Sequence, residues 1–216
     1  MAGVALQSEE DGMETSGQPP LVVIVDDDEA ARVSLGRLLA TEGYAVHEFD
    51  SVRAMLSSPQ VSECACVVTD LRMPGMTGLD LQQAMTERGV KAPLVFVTAF
   101  GTVPVSVQAM RGGAIDFLEK PADPVELLDA VARAVARYRE NRSSALLCRD
   151  ITNRWERLTA REREVFEGVV RGLTNKAIGE ELGIAVKTVK VHRGRVMEKM
   201  EADSLADLVR MKALLN

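Results

Sequence analysis

Five short apolar runs, LVVIV, YAVHEF, ACVVTD, PLVFVT and AIDFLE, recur between Leu21 and Glu119. Each reads as a strand, because apolar runs of this length bounded by turn residues suit a sheet buried on both faces. Between and after them, apolar positions repeat at helical spacing near Glu29–Ala40, Val52–Ser57, Leu79–Arg88, Pro104–Arg111 and Pro124–Tyr138. The last helix is announced by Asp123-Pro124-Val125-Glu126, an N-cap followed by proline in the first turn and an acid. Strand and helix in strict alternation predict an α/β domain with a five-stranded parallel sheet covered on both sides.

The pattern then changes. ENRSSALLCRDITNRWER is polar and weakly patterned and reads as a linker over 139–157, with Leu146, Leu147 and Ile151 spaced to continue the preceding helix. Beyond it only helical signals remain. Thr159-Ala-Arg-Glu162 forms a capping box, Gly172 a stop, Thr174 a second cap and Gly183 a second stop. Further helices are expected over Val186–Met200 and Ser204–Leu214. The domain expectation is therefore a disordered acidic tail over 1–19, an α/β domain over 20–138, the linker, and an all-α four-helix domain over 158–216.

Composition sharpens this division. Apolar residues make up 46% and charged residues 27%, as in an ordinary globular protein. From Leu158 onward there are 11 Lys+Arg against 9 Asp+Glu, whereas the rest of the chain has 15 against 23. An acidic front and a mildly basic back place any nucleic-acid contact in the second domain. No run is long and apolar enough for a membrane span, and the first residues have no signal-peptide pattern, so a cytoplasmic location is expected. Cys64 and Cys66 are expected to share one face of the third strand, with Cys148 far away. The only histidines are His47 and His192, so no zinc-ligand spacing exists. The cysteines read as core or surface residues, and no Ser–His–Asp or Cys–His set points to hydrolase chemistry.

In an open parallel sheet, ligands sit beyond the carboxyl ends of the strands. That rule gathers Asp26 and Asp27 after the first strand, Asp70 at the end of the third, Thr98 at the end of the fourth and Lys120 after the fifth. Three acids around one crevice suit a hard cation such as Mg²⁺, which takes oxygen ligands. Asp70 is placed to act as a nucleophile forming an aspartyl phosphate, with Lys120 and Thr98 meeting the transferred oxygens. Phe100, two residues past Thr98, is expected to shield such a phosphate from water. The run Asp26-Asp27-Asp28-Glu29 divides in function: two acids for the crevice, then two for the first helix's positive end.

In the second domain, Gly183-Ile184-Ala185 is a turn short enough for a helix-turn-helix. The following helix, VKTVKVHRGRVMEKM, puts Val189, Val196 and Met200 on one side. Lys187, Lys190, Val191 and Gly194 lie on another. Early recognition-helix residues meet base edges and flanking cations meet phosphates. Lys190 and Val191 are the base-contact candidates, and Lys176, Lys187, Thr188, Arg193 and Arg195 the phosphate-contact candidates. His192 reads as packed or phosphate-facing rather than catalytic.

VDDDEAAR, VVTDLRMPGMTGLD, VFVTAFG and AIDFLEKP resemble the four sequence blocks of bacterial response-regulator receiver domains. The segment LTAREREVFEGVVRGLTNKAIGEELGIAVKTVKVHRGRVMEKM resembles a LuxR-type helix-turn-helix. Together they resemble the NarL/FixJ class of two-component response regulators. VTDLRMPGMTG, EKP and TVKVHRGRVMEKM point to the FixJ branch. The resemblance implies a flavodoxin-like sheet of order 2-1-3-4-5 and Mg²⁺ held by Asp26, Asp27, Asp70 and the Arg72 backbone carbonyl. It implies that Asp70 accepts phosphate from a sensor histidine kinase, and that Thr98 and Phe117 switch conformation. It also implies that Lys120 contacts the phosphate and that the Lys120–Pro121 bond is cis. Such a protein is no metabolic enzyme, although it catalyses its own phosphorylation and dephosphorylation. It would bind promoter DNA as a homodimer formed on phosphorylation, through the faces of Val103–Arg111 and Ala114–Leu118. Ser204–Leu214 either adds a second dimer contact or completes the small core, and RNA polymerase is a further candidate partner. Phosphatases of the haloacid-dehalogenase type use a similar set of residues. They place the nucleophile after the first strand, whereas Asp70 ends the third, and no substrate cap is evident. Two departures from the LuxR pattern stand out: Ala185 where a capping Ser is common, and Gly194 where some relatives carry a long side chain toward DNA. That glycine either shortens the reach toward DNA or admits a close backbone.

Overall fold

The computed structural model describes residues 18–215, so the tail expected over 1–19 lies outside the described residues except at its last two positions. Five strands, β1 (Leu21–Val25), β2 (Ala45–Phe49), β3 (Cys66–Thr69), β4 (Leu94–Thr98) and β5 (Asp116–Glu119), form one parallel sheet of order β2-β1-β3-β4-β5. Helices α1 (Glu29–Thr41), α2 (Val52–Ser57), α3 (Gly78–Glu87), α4 (Val103–Arg111) and α5 (Pro124–Glu156) alternate with the strands. A short 3₁₀ turn over Pro59–Ser62, absent from the sequence expectation, precedes β3.

Because side chains alternate across a strand, each central strand feeds two cores. Val23, Val25, Val67 and Phe96 pack with Val52, Met55, Leu81, Met85 and Ala109 from α2, α3 and α4. Val22, Ile24, Val68, Val95 and Val97 pack with Leu39 of α1 and Leu127, Val131 and Ala134 of α5. The edge strand β2 is only partly covered. Cys64 and Cys66 were expected to share a face, but Cys64 packs in the first core and Cys66 in the second. The reason is local: β3 starts at Cys66, so Cys64 still belongs to the turn and the two-residue alternation does not reach it.

The segment 139–157 is not irregular. α5 continues as one helix of 33 residues to Glu156. Contacts divide the chain into two units, 1–139 and 140–216, within that helix. In the second unit, α6 (Ala160–Val170), α7 (Asn175–Leu182), α8 (Val186–Met200) and α9 (Leu205–Leu214) surround a core of Val165, Phe166, Ile178, Val189, Val196, Met200 and Leu208. Ile151 of α5 is buried in that core, and Trp155 meets Phe166 edge-on at 5.0 Å between ring centroids. Arg154 adds charge to the join, bridging Asp150 at 2.6 Å and Glu201 at 3.0 Å and donating to the Met200 carbonyl. The final turns of α5 therefore belong to the small domain's core. Gly172 and Gly183 stop their helices with φ of 80° and 66°, a conformation glycine adopts without a Cβ penalty.

Candidate functional site

The parallel sheet brings all five crevice residues to one edge. Oxygens of Asp26, Asp27 and Asp70 lie within 4.8 Å of one another. Asp26 is buried and fully engaged. Its Oδ1 accepts from the Asp28 N–H at 2.9 Å, its Oδ2 from Lys120 Nζ at 2.5 Å, and its carbonyl from Arg32 Nη1 at 2.7 Å. Asp27 is exposed, with no hydrogen bond or ion pair among the described residues. Asp28 caps α1, accepting from the N–H groups of Ala30 and Ala31, and Glu29 follows in the first turn. The acidic run thus divides as its sequence suggests.

Lys120 Nζ also donates to Asp70 Oδ2 at 2.9 Å, so one ammonium sits between two carboxylates. Burial pushes the Asp70 carboxyl up, but Lys120, the Thr98 hydroxyl and the Arg72 N–H outweigh it and hold it below its ordinary value. Burial likewise lowers Lys120, and Asp26 and Asp70 raise it further, with a net upward shift. Both groups are therefore charged at neutral pH, which keeps Asp70 a nucleophile. Thr98 is buried, and its hydroxyl accepts from the Phe100 N–H at 3.2 Å. The Phe117 ring lies half-buried, 5.7 Å from that of Phe96. The Lys120–Pro121 bond is cis. Phe100 is 55% exposed, and its ring sits 4.7 Å from the Arg72 guanidinium.

Three carboxylates and one ammonium leave a surplus of negative charge, all of it on hard oxygen donors. That set fits a divalent cation such as Mg²⁺. Two residues escaped the sequence reading. Arg32 lies on α1 and Glu48 on β2, 3.7 Å apart, and only the fold brings the pair beside Asp26.

The second candidate surface is α8. Val189, Val196 and Met200 are fully buried, and Lys187, Thr188, Lys190, Val191 and Arg195 are exposed. Arg193 differs: it is half-buried and its Nη1 donates to Asn175 Oδ1 at 3.1 Å, bracing α7 against α8. Lys176 is exposed, 3.9 Å from Glu180. His192 is half-buried, and its Nδ1 is enclosed without a hydrogen-bond partner among the described residues. Ala185 gives α8 no side-chain cap. A Cβ at Gly194 would meet nothing within 4 Å, so no packing within the domain requires the glycine. In α9, Leu208 is core, while Leu205 and Val209 face outward.

The other charged anchor of this unit is Glu162, 2% exposed, which accepts from Lys199 Nζ at 2.6 Å and from the Thr159 N–H at 2.9 Å. Burial raises its carboxyl, but Lys199 and Thr159 prevail and hold it at about 2, below an ordinary 4.5. A depressed carboxylate stabilises the fold fully above its unfolded value, and that stabilisation is lost as pH falls towards 2. Glu162→Gln, which removes the ion pair with Lys199 but leaves an amide oxygen to accept the Thr159 N–H, should cost about 2 kcal/mol at neutral pH. It should also flatten the loss of stability on acidification. Urea unfolding at several pH values checks this, and an unchanged pH slope would refute it.

Residues 22–132 match the response regulator receiver domain, and residues 156–212 match the luxR family of bacterial regulatory proteins. The chain belongs to the response-regulator family, as a receiver domain followed by a LuxR-type DNA-binding domain. It is 43% identical over 195 residues to nodulation protein W of Bradyrhizobium diazoefficiens, covering 90% of this chain and 86% of that protein. It is 42% identical over 193 residues to the transcriptional regulatory protein FixJ of Azorhizobium caulinodans, covering 89% and 92%. Among solved structures, the response regulator StyR superposes with a TM-score of 0.82 at 40% identity, covering 90% of this chain and 98% of that one. Full-length FixJ from B. japonicum gives 0.57 at 39%, covering 91% and 97%. The chain is a FixJ-like transcriptional regulator, of a family of DNA-binding regulators rather than classical enzymes, and its two domains imply a kinase and DNA as partners. Among the described residues, no helix is long and apolar enough to cross a membrane.

Proposed function

We propose that Asp70 accepts a phosphoryl group from a sensor histidine kinase and that the resulting acyl phosphate controls promoter binding. The observation that carries this reading is the meeting of Asp26, Asp27 and Asp70 within 4.8 Å, with Lys120 between Asp26 and Asp70. An Asp70 oxygen attacks phosphorus as the bond to the donor's leaving atom breaks. Lys120 swings its ammonium onto a transferred oxygen, and the Thr98 hydroxyl donates to another. Mg²⁺, held by Asp26, Asp27, Asp70 and the Arg72 carbonyl, would supply the charge that offsets the phosphoryl oxygens. Water attack on the same acyl phosphate resets the protein, so self-phosphorylation and self-dephosphorylation are its only chemistry.

Movement of Thr98 toward the phosphate frees space, and Phe117 repacks into it. This shifts a population towards a state in which the α4 and β5 face pairs with a second copy. Val103, Val107 and Met110 are exposed on α4 and supply an apolar contact. Outward-facing Leu205 and Val209 on α9 offer a second. Such a dimer would read half-sites about 34–36 Å apart, or at multiples of that distance. Lys190 and Val191 would face bases. Lys176, Lys187, Thr188, Arg195 and the remaining donors of Arg193 would face phosphates. The working domains are then 20–138 and 158–216, joined by a helical 139–157 whose last turns pack in the second domain's core, and the protein acts in the cytoplasm on DNA that RNA polymerase also engages.

The test is DNA binding and sedimentation with and without acetyl phosphate in Mg²⁺. Phosphorylation should raise both the dimer fraction and promoter affinity, by about five- to 150-fold if the coupling has an ordinary size. No change in either would end the switch proposal.

A further inference from the structure

We infer that Arg32 is a positioning residue for the acidic loop, held in place by Glu48, and that this pair sets how tightly the crevice binds a divalent cation. The inference rests on the reading of Asp26, Asp27 and Asp70 as the cation site. Arg32 is four residues into α1, and its side chain is largely covered. Its Nη1 donates to the Asp26 carbonyl at 2.7 Å, at the point where β1 gives way to the loop. On the other side of the same residue, the Asp26 N–H donates to the Phe49 carbonyl at 3.1 Å. With Oδ1 taken by the Asp28 N–H, both the peptide groups and the carboxylate of Asp26 are fixed.

Glu48 makes the device workable. It pairs with Ile24 in the β1–β2 register, one strand away from the crevice, and its Oε2 lies 3.7 Å from Arg32 Nε. Its carboxylate lies against α1 at Gly36, where a Cβ would overlap Oε1. A lone guanidinium beside the loop would repel an incoming cation. Glu48 balances that charge, so Arg32 contributes a hydrogen bond with little net field. Gly36 is the space that lets Glu48 do so. Of the two loop acids, Asp27 alone stays exposed and unengaged among the described residues, presented on a backbone that Arg32 holds.

The test is a Mg²⁺ titration of the full chain, followed by amide chemical shifts of Asp27 and Asp28, with thermal melts in the absence of Mg²⁺ to check folding. Arg32→Met should weaken Mg²⁺ binding about tenfold, the lower end for lost outer partners of a metal ligand. Arg32→Lys should recover most of that, because an ammonium can reach the same carbonyl. Gly36→Ala, remote from the crevice, should weaken binding by a smaller factor, since it displaces Glu48 and leaves Arg32 unbalanced. Unaltered affinity in Arg32→Met, or a lysine variant as weak as the methionine one, would overturn the inference. Should the wild-type chain show no Mg²⁺-dependent shift at Asp27 and Asp28, it is the cation site itself that fails. Asp27→Asn provides the matching control for that site. If Arg32→Met proves unfolded, Arg32→Lys and Gly36→Ala still decide, and wild-type affinity in Gly36→Ala would overturn the role of Glu48.

Discussion

Asp27→Asn should reduce acetyl-phosphate labelling of the chain by at least about 100-fold, equivalent to roughly 2.7 kcal/mol of lost transition-state stabilisation. Glu29→Gln, two residues along the same acidic run, should leave labelling within about twofold. The contrast follows from position. Asp27 points free beside two other carboxylates, whereas Glu29 lies in the first turn of α1. Its charge contributes only a helix-dipole term of about 0.3–1 kcal/mol. Asp70→Asn should remove the labelled position altogether. Rates of labelling followed by intact mass would check all three variants. Stoichiometric labelling of Asp70→Asn would show that another group is the acceptor.

Lys190→Ala should lower affinity for the cognate promoter by about ten- to 100-fold and reduce discrimination against altered half-sites, as expected for loss of a base-edge contact. Lys190 is suited to this because it stands outward on α8 directly after Val189, which is buried. Lys176→Ala should behave differently. It should weaken binding to all sequences alike and reduce the slope of log affinity against log salt by about 1. Binding isotherms at three or more salt concentrations, on matched and mismatched DNA, separate the two outcomes. A Lys190→Ala variant that changes the salt slope and leaves discrimination intact would move Lys190 to the phosphate group of contacts.

The parts of the fold that could be read from sequence are those with local causes. β1 and α2 fall where their apolar runs and caps put them, and each of Thr159, Thr174 and Ser204 caps the helix it precedes. The five crevice residues were legible because strand ends in a parallel sheet share one edge, so position along the chain translates directly into proximity. Features requiring tertiary knowledge were not. Residues 139–157 are mostly polar, and Leu146 and Leu147 face solvent, yet Ile151 and Trp155 supply contacts that commit the same helix to the small domain. Cys64 was misplaced because nothing in ECACVV marks where turn becomes strand. Arg32 closes the block VDDDEAAR, but nothing in that block or in YAVHEF pairs it with Glu48. An arginine in a helix and a glutamate in an edge strand are usually solvated, and only β1–β2 pairing turns them into a unit.

The cysteines have a practical consequence. Burial pushes the Cys64 thiol up to about 12, and it pushes that of fully enclosed Cys66 up as well. Neither presents a thiolate or an accessible sulfur to a reagent near neutral pH. Cys148, partly exposed on α5 beyond the division between the two units, is the remaining thiol of the three. The native sequence is therefore its own single-label protein. A maleimide dye or nitroxide should settle on one position, on the helix that the two units share, with no engineered residue needed to watch that helix respond to phosphate or DNA.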